Sequence, residues 1–191
     1  MTDKQTICGY VQTYRQIFPT ELATTQLLAD YLDNNTEGTL YDRKNFNGHI
    51  TASAFVINPA RNAMLLLRHK SLERWLQPGG HVEPGDASLT AASLREAVEE
   101  TGIPAHELEL INADNLNGMP FDIDSHYIPA NPRKAEDGHY HHDHRYVYVY
   151  TGTGDNAYNK DEATGLKWVS LDELIHDDTF AAVIQKIRKY L

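Results

Sequence analysis

The sequence is short of cysteine: the single Cys8 in 191 residues excludes an internal disulfide, so the fold stands without a covalent cross-link. Long apolar runs are missing too, with nothing near the roughly 18 residues of a membrane helix. The first thirty residues have neither a basic leader nor an apolar secretory core. Basic residues are outnumbered, 17 Lys and Arg against 27 Asp and Glu, and the net charge of −10 excludes a partner held mainly through a phosphate backbone, which needs a basic stripe. Anionic small molecules are not excluded, because bound cations reverse the field of a carboxylate cluster. Repeats, low-complexity tracts and linkers are absent from the pattern. These absences point to a soluble, cytoplasmic protein with no nucleic-acid duplex or membrane as partner and with room for a homodimer. The 41% of hydrophobic residues is enough to build one sizeable core.

Apolar spacing predicts helices over residues 3–17 and 20–33, divided by Pro19, and a turn-rich break follows at Asp33, Asn34, Asn35 and Gly38. Ile50, Ala52, Ala54 and Val56 alternate as a half-buried strand does, and Asn58, Pro59, Arg61 and Asn62 predict a hairpin turn into a second strand over 63–68. Residues 1–45 therefore read as a helical cap on a core formed by 46–191. Further strands are expected at 108–116, 121–128, 145–151 and 166–169. Ser170, with Glu173 three residues on, opens a short helix, and a last amphipathic helix covers 179–190. Strands mixed with flanking helices give an α/β class.

The densest chemistry lies in Gly79–Ile103, GGHVEPGDASLTAASLREAVEETGI. Ser88 is a good N-cap and Gly102 a good C′ residue, so a helix runs between them with Glu96, Glu99 and Glu100 at i, i+3 and i+4 on one arc. Ala91, Leu94 and Val98 fall on the opposite face and should pack on the sheet. Like charges at that spacing cost a few tenths of a kcal/mol per pair, which a hard divalent cation among them would offset. Arg95, one turn before Glu99, is placed to hold that carboxylate by an ion pair. Gly79, Gly80 and Gly85 supply backbone freedom to the loop.

This segment resembles the signature of the Nudix hydrolases, G-x5-E-x7-R-E-U-x-E-E-x-G-U with U a bulky aliphatic, through Gly80, Arg95, Glu96, Glu99, Glu100, Gly102 and Ile103. Asp86 stands where the signature has its first Glu, the gap from Gly80 to Arg95 is one residue longer, and Ala97 takes the first U position. Asp86 is read either as a metal ligand or as a cap for backbone N–H groups. The resemblance implies an α/β/α sandwich with a mixed sheet. It also implies Mg²⁺ or Mn²⁺ held by Glu96, Glu99, Glu100 and the carbonyl of Gly79, and hydrolysis of a pyrophosphate bond in a nucleoside diphosphate joined to another moiety, such as ADP-ribose or a nucleotide sugar. An acidic residue from a late loop often completes such sites, and Glu162 answers to it. Two other functions compete: a nucleotide-sensing module, against which the intact carboxylates weigh, and a diphosphate isomerase using a cysteine, for which Cys8 is poorly placed.

A second unusual stretch is HYHHDHRY at 139–146, preceded by DIDSHYIP at 122–129, with five histidines in nineteen residues. Similar strings accompany the GGHVEPGD loop in a Nudix subgroup, which extends the resemblance to residues 48–175. In an extended strand His142 and His144 share one face, while His141, Asp143 and Arg145 share the other. The reading favoured is that His126, His142, His144 and Arg145 bind substrate; a zinc site and an ordinary polar loop are the alternatives. Trp75 and Trp168 are expected in the core or packed on the sheet.

Overall fold

Asn58 shows how the central hairpin closes. Its side-chain oxygen accepts from the N–H groups of Asn62 and Ala63, at 2.9 and 3.0 Å, and Arg61 takes a left-handed φ of 54°. The turn joins β1 (His49–Ile57) to β2 (Ala63–His69). In this computed structural model, which describes residues 1–111, 118–132, 135–153, 158–161 and 163–191, these strands belong to an eight-stranded sheet. The order is β3 (Trp75–Leu76), β2, β1, β7 (His139–Tyr150), β5 (Leu108–Leu110). β4 (Gly79–His81) pairs with β1, β6 (Asp122–Ile128) with β7, and β8 (Ala163–Ser170) with β2. The molecule has the α/β class that its sequence pattern predicts and the mixed sheet that the resemblance implies. β1 departs from the alternation expected of it, being buried at all nine positions because it lies inside the sheet.

Two compact units are woven from interleaved stretches, and β1, β7 and helix α3 (Leu89–Thr101) each run through both. The first unit takes residues 1–52, 80–92 and 118–145. Its helix α1 (Lys4–Ile17) starts at Asp3, whose carboxylate accepts the Thr6 N–H at 2.7 Å, and buries Ile7, Val11 and Tyr14. The Tyr14 hydroxyl bonds Glu21 and accepts from the Ile123 N–H at 3.3 Å, which ties the helix to β6; burial and the nearby Asp122 push this phenol well above its ordinary pKa. The helix expected over 20–33 is shorter, α2 (Gln26–Asn34), because Pro19 opens a separate single turn. The hydroxyls of Thr24 and Thr25 then bond back to the carbonyls of Glu21 and Leu22, competing with helical pairing.

The second unit takes residues 53–79, 93–117 and 146–191. Here β2 pairs antiparallel with β8 from Ala63 opposite Ser170 to His69 opposite Ala163. Ser170 caps α4 (Leu171–Leu174) by accepting from the Asp172 N–H at 3.1 Å. The last helix, α5 (Ala181–Tyr190), begins two residues later than expected, since the Asp177 carboxylate takes the Thr179 N–H into a turn. Of the two placements expected for Trp168, core or packed on the sheet, the core is not the one it takes: it is 40% exposed on β8 and lies 6.0 Å from the Tyr150 ring. Residues 112–116 of the expected strand lie outside the described residues, as does Glu162. Among the described residues no helix is long and apolar enough to cross a membrane.

Candidate active site

Helix α3 has the ends its sequence predicts. Ser88 Oγ accepts the Ala91 N–H at 3.1 Å, and Gly102 ends the helix at a φ of 69°, which a side chain would resist, with its N–H on the Val98 carbonyl. The buried seam differs from expectation. Ala92, Ser93, Ala97 and Thr101 are buried, whereas Ala91, Leu94 and Val98 are only half-buried. The small Ala97 at a position where the signature has a bulky residue is part of that seam.

Within the second unit the acidic arc is organised by a few bonds. Arg95 Nη1 donates to Glu99 Oε2 at 3.0 Å, as predicted, and to Glu96 Oε1 at 3.1 Å. Glu100 is 4% exposed and accepts the Gly79 N–H at 2.8 Å, so the glycine strand β4 and the carboxylate helix are joined at Gly79, the residue whose carbonyl the resemblance makes a ligand. Glu99 stays open to solvent, its side chain 52% exposed. Glu96, Glu99 and Glu100 bring hard oxygen donors to this helix, the chemistry that Mg²⁺ and Mn²⁺ take, with Arg95 bonded to two of them and the Gly79 N–H to the third.

In the first unit Asp86 closes its own loop, its carboxylate accepting the Glu83 N–H at 2.7 Å while its N–H reaches the Glu83 carbonyl at 2.9 Å. The N–H of this bond is that of Glu83, upstream in the loop, rather than one of the helix that follows. Gly85 has no left-handed φ, and a Cβ there would meet nothing within 4 Å, so its expected conformational role is not used.

The histidine tract is entirely strand, beginning at His139 rather than Arg145, and β6 pairs with it in register: Asp122 opposite Arg145, Asp124 opposite Asp143, His126 opposite His141, Ile128 opposite His139. Directly opposed residues share a face, so the two faces divide as the alternation predicts. On one, Arg145 is held by Asp124 at 2.7 Å, Asp143 at 3.1 Å and Asp122 at 3.2 Å. Burial disfavours its charge, but the three carboxylates more than offset that and raise its pKa. These bonds hold Arg145 within the β6–β7 hairpin. On the other face His142 and His144 are buried, at 2% and 0% exposure. His142 Nδ1 meets Ser125 Oγ at 2.8 Å, its ring lies 4.5 Å from Tyr31, and its Nε2 has no hydrogen-bond partner among the described residues. A Cβ on Gly48, whose φ is 139°, would come within 3.0 Å of that Nε2. Burial depresses His142 to about 3 and His144 to about 4, keeping both neutral. Of the four residues assigned to substrate, only His126 has a substantially exposed side chain, at 43%.

The first face holds something the sequence did not show. His139 and His141 on β7, His126 on β6, His49 on β1 and His81 on β4 gather their rings together, and the His49 and His81 rings lie 4.6 and 5.3 Å from that of His141. His49 and His81 are 32 positions apart and neither lies in a metal-ligand spacing. The only signal was that His81 sits within the glycine loop.

A sheet of this order, with a glycine strand bonded to a carboxylate helix, defines a Nudix-type α/β fold. The family model for the NUDIX domain matches residues 48–191, and the chain belongs to the Nudix hydrolase family. It is similar to the asymmetrical bis(5'-nucleosyl)-tetraphosphatase of Sus scrofa, 45% identical over 56 residues, which are 29% of this chain and 37% of that protein. It is also similar to the uncharacterized Nudix hydrolase NudL of Citrobacter koseri, 36% identical over 95 residues, 45% of this chain and 46% of that one. The chain thus spans less than half the length of these curated relatives. Among solved structures, a NUDIX-family hydrolase from Clostridium perfringens matches 78% of this chain and 98% of its own, with a TM-score of 0.55 and 22% identity. The C. elegans Ap4A hydrolase in a binary complex matches 74% and 93%, with 0.54 and 20%. Identities this low speak for the fold.

Proposed function

We propose that this chain hydrolyses a pyrophosphate linkage in a nucleoside diphosphate joined to another moiety, with Mg²⁺ or Mn²⁺ held by Glu96, Glu99, Glu100 and the Gly79 carbonyl. The observation that carries the reading is the Glu100 to Gly79 hydrogen bond, which joins the two parts of the signature despite the extra residue between them. The bound cation supplies Lewis-acid polarisation of the phosphoryl oxygens and lowers the pKa of water. The chain's own work is positioning. Arg95 restrains Glu99 and Glu96, and the Gly79 N–H fixes Glu100, so the donors meet a substrate without reorganising. Water attacks phosphorus, the bridging P–O bond breaks, and the water's proton passes to a base, for which Glu96, Glu162 and a histidine of the 139–144 tract are the candidates. The local likeness to a protein named bis(5'-nucleosyl)-tetraphosphatase brings dinucleoside polyphosphates into the same substrate class. His126, His142, His144 and Arg145 are the residues proposed to bind substrate, and His126 is the most exposed of them.

The test is a phosphate and nucleotide release assay with Mg²⁺ and with Mn²⁺ across ADP-ribose, nucleotide sugars, dinucleoside polyphosphates, nucleoside triphosphates and coenzyme A. Turnover of at least one, lost in Glu99→Gln, is expected. Tight binding of a nucleotide with no turnover of any would replace the enzyme by a sensing module.

A further inference from the structure

We propose that His49, His81 and His141 form a binding site for a divalent transition metal of the zinc class, separate in its ligands from the carboxylates of the signature helix. One nitrogen from each lies within 4.8 Å of the other two, and all three residues belong to the first unit.

The arrangement is more than ring packing. His49 Nε2 faces His81 Nε2 at 3.1 Å, so at most one of these nitrogens carries the hydrogen between them and a second hydrogen would clash. Two nitrogens bound to one tetrahedral zinc at 2.0–2.1 Å stand about 3.3 Å apart, close to that spacing. The remaining separation to His141 is within what a side-chain torsion closes. Each ligand comes from a different strand, β1, β4 and β7, so their backbones are set by sheet pairing rather than by one mobile loop.

The surroundings also have the form of a metal site. His139 Nδ1 meets the Asp137 carbonyl at 2.7 Å and so carries the hydrogen, which makes Nε2 the acceptor in its 3.3 Å bond with His141 Nε2. His126 Nδ1 meets Asp124 Oδ2 at 2.7 Å, and Asp124 is itself anchored by Arg145. His139 and His126 are thus each oriented by an oxygen on Nδ1, the way a histidine ligand is held, so either is placed to join the three. Three imidazoles without a carboxylate among them select a borderline-soft ion over Mg²⁺, and three ligands leave a fourth position for His139 or an exogenous oxygen.

Protein stripped with chelator, dialysed against equimolar zinc and then against buffer, is analysed for metal. Expected are about one zinc per chain in wild type and in Glu99→Gln, and visible absorption of a four-coordinate site when Co²⁺ replaces zinc. His49→Gln combined with His141→Gln, and His81→Gln alone, should weaken zinc binding by about 100-fold or more. His81→Gln keeps the experiment readable if the double variant fails to fold, since His81 is half-buried. Wild type retaining less than about a fifth of an equivalent would overturn the site, as would a natively melting His81→Gln protein that keeps its zinc. Loss of zinc in Glu99→Gln would assign the ion to the helix carboxylates instead, a result distinct from any loss of hydrolysis.

Discussion

Glu99 and Glu100 are adjacent and identical, yet one is half exposed beside Arg95 and the other is buried on a backbone N–H. Their amide variants should therefore separate function from stability. Glu99→Gln should lower kcat by about 100-fold or more, as expected for a direct ligand, with the melting temperature unchanged. Glu100→Gln should be equally inactive and slightly less stable, because a neutral acceptor replaces a charged one; activity of both within about threefold of wild type would remove the carboxylates from the mechanism. His144 gives a prediction in pH. Burial holds it at about 4 in the folded chain against 6.5 for a free imidazole, with Asp143 and the carbonyl of His142 opposing the shift. A base with a depressed folded pKa takes its proton first in the unfolded state, so its contribution is full above about 6.5 and is lost as pH falls toward about 4. The loss amounts to roughly 3 kcal/mol, and in denaturant titrations with chelator present His144→Gln should show a shallower fall across that window than wild type.

At the scale of elements, the loop before α3 is held by Asp86, a nearly buried carboxylate on the Glu83 N–H. Asp86→Ala should cost roughly 2 kcal/mol in chemical unfolding, and Asp86→Asn clearly less, since the amide oxygen keeps the bond. Equal stability of all three proteins would show that the loop does not depend on it. The caps and the charged arc of this helix were legible because they are local: a serine, a glycine and spacings of three and four residues define them. The two faces of β7 were legible for the same reason, by alternation alone. The buried seam was not, because which side of a helix packs depends on its neighbours, and here small residues displaced Leu94 and Val98 from it. Nor was the histidine gathering, which needs β1, β4 and β7 to pair before His49 and His81 meet His141. The ion pairs of Arg145 with Asp122 and Asp124 were hidden for the same reason, since only the register with β6 brings those carboxylates to it.

Across the whole molecule the family match starts at residue 48, and we propose that residues 1–45 serve the matched region as an extension anchored on the β6–β7 hairpin and on the first residue of α3. Tyr14 on the Ile123 N–H, Tyr31 against the His142 ring and the Thr2 hydroxyl, which accepts the Leu89 N–H at 3.1 Å, support it. Deleting residues 1–45 should expose these partners and lower the melting temperature by more than 10 °C, or give insoluble protein; a deletion that melts within about 2 °C of the full chain would make the extension dispensable. The interleaving of the two units carries a consequence for descent. Because each is drawn from three separate stretches, and β1, β7 and α3 continue through both, a single genetic crossover cannot deliver one unit without fragments of the other. Any single crossover that parts the carboxylates of α3 from one of His49, His81 and His141 also parts those three histidines from one another.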